Sequence, residues 1–275
     1  MNPLIKKADG TEEAFQPEKL RYSLTRSGAS EASIEEVLKK ITSEINDGDS
    51  TGQIYRKAFG LLKKLEKPAA SRYSLKRAVL SLGPTGFPFE VFVARIFEEK
   101  GYRVRVGEVL DGKCTTHEVD LVARKENECI FGELKFHNRA GTKSDVQVAL
   151  YVYARFHDLQ EGVAVPKGCR ATGLLLTNTK FTKNTIHYSK CAGLEVISWS
   201  HPREGNLQDL IEETKVYPLT CLTSLSNKEK LHLLEKNVVL SKALKEKRQE
   251  MKEAGLSDKK IAEALEEADV LCRAS

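Results

Sequence analysis

The chain has 275 residues, of which 40% are hydrophobic and 30% charged, with a mean hydropathy of −0.39; this excludes collagen-like and wholly disordered proteins. Its length is about twice the ~100–150-residue modal domain, so more than one domain is expected. No run approaches the ~18 consecutive apolar residues of a membrane span, and Met1 to Gly10 lacks an apolar signal core, so a cytoplasmic protein with no membrane contact is expected.

The formal charge of +5 is weak for a protein that coats DNA. The surplus sits at the N-terminal end: +4 over residues 1–82, 0 over 83–225 and +1 over 226–275. Six cysteines, Cys114, Cys129, Cys169, Cys191, Cys221 and Cys272, include no CxxC pair. Free thiols are expected, and a structural zinc site is not.

The N-terminal region opens with extended segments at Leu4–Lys7 and Glu13–Phe15 around an Asp9-Gly10 turn. Helical spacing follows over Glu18–Ser27, Ser33–Ile45, Thr51–Lys64 and Ala70–Leu82, with Ser33 and Glu36 in capping-box spacing. A Gly/Pro-rich elbow, Gly83-Pro84-Thr85-Gly86-Phe87-Pro88, marks a boundary.

Beyond it, Phe89, Phe92, Val93, Ile96 and Phe97 trace the buried face of a helix that Gly101 closes. Strands are expected near Tyr102–Leu110, Glu118–Ala123 and Cys129–Phe136, then a helix over Ser144–His157, a strand over Thr172–Leu176, a helix over Lys183–Cys191 and a strand over Leu194–Ser198. A mixed sheet flanked by helices accommodates that order. After a polar break near Ser224–Asn227, Lys228–Ala274 reads as two helices broken at Gly255, with Ser257 as an N-cap.

The chemistry concentrates on Asp120, Glu133 and Lys135. Strand side chains alternate, so Glu133 and Lys135 share a face. A hairpin centred between Glu126 and Asn127 sets Asp120 opposite Glu133, with Cβ atoms about 5 Å apart. Two facing carboxylates among Leu121, Val122, Ile130, Phe131 and Leu134 repel unless a cation sits between them, and Mg²⁺ or Mn²⁺ would fill that role. The same residues could instead form a structural ion-pair cluster. His137 and Asn138 could touch nucleic acid or cap a loop, and Tyr151 and Tyr153 read as packing residues.

Asp120 followed by Glu133-Leu134-Lys135, behind a helix bearing Glu90, resembles the PD-(D/E)xK signature of the restriction-endonuclease-like fold, in its Mrr-like branch. The resemblance runs from about Gly86 to Trp199, and His117-Glu118-Val119-Asp120 departs from it in lacking the Pro. It implies Asp120 and Glu133 as metal ligands, Lys135 as an electrostatic catalyst, Glu90 as an auxiliary acid and Gln147 as a polar residue on the helix after the Lys strand.

A second resemblance rests on Ile5-Lys6-Lys7-Ala8-Asp9-Gly10, Glu13 to Leu20 and Ala70-Ser71-Arg72-Tyr73. These are similar to the start and the closing helix of an ATP-cone, a regulatory ATP/dATP-binding module. The resemblance implies that Lys7 and Lys19 lie near phosphates, with Glu13 and Gln16 in the neighbouring binding segment.

The expected layout is α/β, α+β overall: an ATP-cone with an N-terminal hairpin (1–82), a mixed-sheet nuclease domain (86–224) and a C-terminal helical pair (226–275). The implied activity is metal-dependent cleavage of DNA regulated by an adenine nucleotide, in a homodimer or higher even oligomer. A non-catalytic nucleotide-sensing DNA-binding regulator, or a nuclease acting on RNA or branched DNA, is the alternative.

Overall fold

The Asp9-Gly10 turn closes a short antiparallel hairpin, β1 (Leu4–Lys6) and β2 (Glu12–Ala14), with Ile5 opposite Glu13. It was obtained as a computed structural model that describes residues 3–273; Met1 and Asn2 of the expected first domain, and Ala274 and Ser275 of the expected last region, lie outside the described residues. Five helices follow: α1 (Pro17–Arg26), α2 (Glu31–Glu44), α3 (Thr51–Leu65), α4 (Lys67–Tyr73) and α5 (Leu75–Leu80). Ile5 and Phe15 from the hairpin join Leu24, Ile34, Ile41 and Leu62 in one core. Burying each such side chain contributes about 1.5–3 kcal/mol.

Capping corrects one expectation. Ser33 does not open α2; Ser30 does, accepting the Ser33 N–H, while the Glu66 carboxylate takes hydrogen bonds from both serine hydroxyls. Pro at the second position of α4 breaks the chain after α3, and the expected helix over Ala70–Leu82 divides at Ser74 into α4 and α5.

The elbow leads into α6 (Phe87–Glu99), whose apolar stripe Phe89, Phe92, Val93, Ile96 and Phe97 is buried as its spacing requires. Then come β3 (Arg103–Asp111), β4 (Thr116–Lys125), β5 (Glu128–Lys135), β6 (Lys143–Ser144), α7 (Val146–Glu161), β7 (Arg170–Thr177), β8 (Lys180–Phe181), α8 (Lys183–Cys191), β9 (Glu195–Ile197) and α9 (Leu207–Thr214). The main sheet runs β3-β4-β5-β7-β9: an antiparallel meander on one side, then parallel pairs reached through α7 and α8. Val122, Phe131 and Leu175 face Ala149, Val152 and Phe156 of α7. Gly173 is required there, because a Cβ would stand 2.8 Å from the Phe156 ring.

Cys129 and Cys169 form a disulfide, which corrects the expectation of six free thiols. The parallel pairing explains it: Cys129 lies opposite Ala171 of β7, so Cys169, just ahead of that strand, comes within 6.0 Å of it at Cα. Sequence spacing of 40 residues carries no hint of that proximity.

The C-terminal stretch holds α10 (Asn227–Glu235), α11 (Arg248–Glu253) and α12 (Asp258–Cys272), with a 3₁₀ turn at Ser241–Glu246. Ser257 caps α12 as expected, but the expected first helix is interrupted where Asn237 adopts a left-handed conformation (φ 59°). These helices do not stand as a third piece. Residues 217–275 cluster with 1–79, and residues 80–216 form the other unit. The half-buried Glu267 of α12 ties the two stretches together: its carboxylate accepts hydrogen bonds from Ser71 of α4 and from the Thr223 and Ser224 N–H groups. No helix among the described residues is long and apolar enough to cross a membrane.

Candidate active site

The β4–β5 register is the expected one, with Leu121 opposite Gly132 and Ala123 opposite Ile130, and Glu126 turns the hairpin at φ 48°. The ladder ends at Leu121. Asp120, one residue further, bonds to the neighbouring strand with its side chain: Oδ2 accepts the Leu134 N–H at 2.7 Å. On β3 the pairing skips from Val106–Leu121 to Glu108–Val119, and Gly107, at φ 61°, falls in that gap at the level of Asp120.

That left-handed glycine inverts the alternation of the strand pair. Val119 and Val122, which regular pleating would put on opposite faces, both pack in the cluster that contains α7, and Leu110 packs against it too. The far end of the β3–β4 hairpin therefore turns toward α7, where Asp158 accepts the Cys114 N–H and pairs with His117 at 2.8 Å. Gly107 brings no side chain next to Asp120, and the space where its Cβ would stand is open.

Glu133 is the buried centre, 6% exposed. One carboxylate oxygen takes the Lys135 ammonium (2.5 Å) and the Tyr151 hydroxyl (2.5 Å), and the other takes the Arg155 guanidinium (2.5 Å). Burial raises the proton affinity of Glu133, but the bonds from Lys135 and Tyr151 and the nearby charges outweigh it, leaving its pKa below the usual carboxylate value. Tyr151 is pushed up to about 12 by burial and by that same carboxylate.

Asp120 and Glu90 behave in the opposite way. Burial lifts both above their ordinary values, and carboxylate neighbours add to it: Glu133 for Asp120, and Asp120, Glu118 and Glu133 for Glu90. Part-buried carboxylates thus gather between α6 and the ends of β4 and β5, with Lys135 and Arg155 acting on Asp120 in the opposite sense. Among the described residues no three His, Cys, Asp or Glu side chains form one metal-binding group. Asp120 and Glu133 are the carboxylates that would hold Mg²⁺ or Mn²⁺, ions that take one or two carboxylates and fill the remaining positions with water, and Glu133 would have to share oxygens that already accept from Lys135, Tyr151 and Arg155.

The structure brings Asp120, Glu133, Lys135 and Glu90 into one electrostatic neighbourhood. Gln147 is exposed on the first turn of α7, one turn ahead of Tyr151, and its N–H bonds to the capping Asp145. Sequence reasoning missed Arg155 and assigned Tyr151 to packing alone. The signal was present as Gln147, Tyr151 and Arg155 at i, i+4 and i+8, a polar line along a largely apolar helix. Tyr153 does pack, edge-on against Tyr188. His137 serves the loop: its backbone is clamped by Asn178, and its ring meets the Ser144 hydroxyl at 3.0 Å.

On the hairpin, Lys7 and Lys19 converge on Glu13 at 2.6 and 2.9 Å, and their hydrogen bonds hold its carboxyl below the usual range. Gln16 is the N-cap of α1, without a side-chain capping bond.

The C-terminal residues 217–272 match the family model described as AF1548-like, C-terminal. An uncharacterized protein of Archaeoglobus fulgidus is 32% identical over 179 residues, 64% of this chain and 97% of that protein. The crystal structure of AF1548, a protein of unknown function, superposes with a TM-score of 0.54 at 28% identity, covering 68% of this chain and 98% of that one. The chain belongs to the AF1548-like family. A complex of the MspJI restriction endonuclease with a 27-mer oligonucleotide matches at a TM-score of 0.29 and 13% identity, over 66% of this chain and 43% of that one, too slight a likeness to carry an argument.

Proposed function

We propose that the chain hydrolyses phosphodiester bonds in DNA with a divalent cation held by Asp120 and Glu133. The observation that carries the reading is the placement of Asp120 and Glu133 on neighbouring strands, where Asp120 accepts the Leu134 N–H and Lys135 follows Glu133 by two residues, in a part-buried, carboxylate-rich setting that raises Asp120 and Glu90.

When bound, the cation supplies an acidified water and neutralises phosphate charge. Lys135 and Arg155 bring positive charge to Glu133 and stabilise the charge that builds on a phosphate beside it. Glu90, with its raised proton affinity, takes the proton from the attacking water. Tyr151 holds the Glu133 carboxylate in place through its hydroxyl.

Plasmid nicking in Mg²⁺ or Mn²⁺ tests this. Asp120→Asn and Lys135→Ala should each lower the rate about 10²-fold or more. Wild-type rates in both variants overturn the reading, and binding without cleavage under any metal moves it to a non-catalytic regulator. The exposed Lys7–Glu13–Lys19 cluster supports a regulatory ATP or dATP site on the hairpin, where the two ammonium groups would exchange a carboxylate for phosphates. Nicking that responds to ATP or dATP in wild type but not in Lys7→Ala/Lys19→Ala is the expected result.

A further inference from the structure

β3 is an edge strand, and its outward positions Arg103 and Arg105 stand on the face where Arg124 of β4 also lies, since Arg103 pairs with Arg124 and Arg105 with Val122. These arginines and Lys125 line a groove of about 650 Å³. Glu108 and Glu126 line it as well, leaving cations in excess by four to two.

The cations are unevenly satisfied. Arg105 pairs with Glu108 at 3.3 Å. Arg124 donates only to the Ala164 carbonyl (3.3 Å), and Lys125 to the Lys100 carbonyl (3.0 Å), so both heads are fixed in place by neutral acceptors. Arg103 is exposed, and among the described residues neither it nor Arg124 makes an ion pair, while Lys125 lies over the Tyr102 ring and acts on the Glu128 carboxylate. Four cations against two carboxylates leave the groove net positive, a surface that attracts an anion.

The groove leads to the candidate active site. Arg103, Arg105 and Gly107 follow one another at every second residue of β3, and the distance from the first to the third is about 13 Å at strand rise. Gly107 is the residue beside Asp120 that leaves open space. The Arg103–Arg105 separation, two residues of extended chain, is comparable to that of successive phosphates in a nucleic-acid strand.

From this geometry we infer that the β3–β4 groove is the track for the nucleic-acid backbone: Arg103 and Arg105 each hold a phosphate and deliver the strand past Gly107 to Asp120. The inference rests on the nuclease reading above and names the surface that reading leaves unassigned. Contacts of this kind give affinity without sequence choice.

The test is fluorescence anisotropy of labelled duplex and single-stranded oligonucleotides with the full chain in EDTA, over a range of KCl. The Arg103→Glu/Arg105→Glu double variant should bind at least about tenfold more weakly and lower the log–log salt slope by about 2, as two lost phosphate contacts require. Arg103→Lys/Arg105→Lys should stay near wild type. A control with the same change in net charge, Lys190→Glu/Arg203→Glu, should also stay near wild type. Equal losses in the control, unchanged affinity in the reversal, or no binding by wild type each overturn the inference; circular dichroism confirms that every variant is folded. Cleavage of the same oligonucleotides in Mg²⁺ by wild type separates the two readings. Cutting with unaltered binding in the reversal removes the track and keeps the nuclease. Groove-dependent binding without cutting does the reverse.

Discussion

Two clusters in this molecule have nearly the same composition and opposite physics. At the N-terminal hairpin, Glu13, with 23% of its side chain exposed, lies between the more exposed Lys7 and, from α1, the more exposed Lys19. In the sheet, Glu133 lies between Lys135 and Arg155 with the Tyr151 hydroxyl as a third partner, and its side chain is 7% exposed. Water screens the first set, so its ion pairs add little stability and exchange readily for another anion. In the second, every partner is needed to offset the desolvation of a buried carboxylate. The difference suits ligand capture at the hairpin and a fixed constellation in the sheet.

Reduction should separate the two regions most. The Cys129–Cys169 disulfide closes a loop of about 40 residues at the start of β5, and its loss should cost the second unit about 4 kcal/mol. The chain's single tryptophan, Trp199, lies in that unit, so urea unfolding followed by its fluorescence should shift with dithiothreitol. The first unit has no disulfide among its described residues, and its transition should stay in place.

Next in size is Glu133→Ala, which strands Lys135 and Arg155 and should destabilise the second unit by about 3 kcal/mol on the same readout. A loss below about 1 kcal/mol would show that the sheet cluster is as well hydrated as the hairpin one.

Asp120→Asn should act in the opposite direction. It removes a half-buried charge beside Glu133 and can keep the bond to the Leu134 N–H, so Tm in EDTA should rise by roughly 2 °C. Mg²⁺ should raise Tm for wild type and not for the variant.

The pH response follows from the same signs. Asp120 and Glu90 have raised folded pKa values, so their contribution is complete below the unfolded value near ~4 and fades as pH rises through the folded one. Glu133 is lowered, so its contribution holds above the unfolded value and is lost as pH falls through the folded one. In EDTA, the Tm of the second unit should therefore rise as pH falls from neutral into the mildly acidic range and drop below about pH 4; Asp120→Asn should flatten the rise. The smallest effect is Glu13→Gln, expected to change stability by less than about 1 kcal/mol in far-ultraviolet circular dichroism melts.

Much of this was legible in the sequence because it is local. The Asp9-Gly10 turn, the α6 stripe from Phe89 to Phe97, the Ser257 cap and the β4–β5 register are set by period, turn chemistry and loop length, all readable within a dozen residues. Ser33 was misread because Ser30, three residues earlier, competes for the same role, and Glu66, 33 residues on in sequence, occupies the Ser33 hydroxyl. α9 was missed altogether: eight residues leave too short a period to detect.

By itself the sequence determined which of these side chains come together: Asp120 near Glu133, and Lys135 on the Glu133 face. Only the tertiary structure decided their electrostatic state. Arg155 and Tyr151 reach Glu133 because α7 crosses the sheet after a chain excursion that no local rule specifies. Gly107 comes level with Asp120 because a separate strand, β3, runs beside β4 and leaves its pairing there with a left-handed backbone. Residues 217–273 join the N-terminal helices where a half-buried carboxylate, Glu267, finds its donors at Ser71, Thr223 and Ser224. Desolvation and long-range pairing depend on what surrounds a residue in space, and sequence neighbours do not report it.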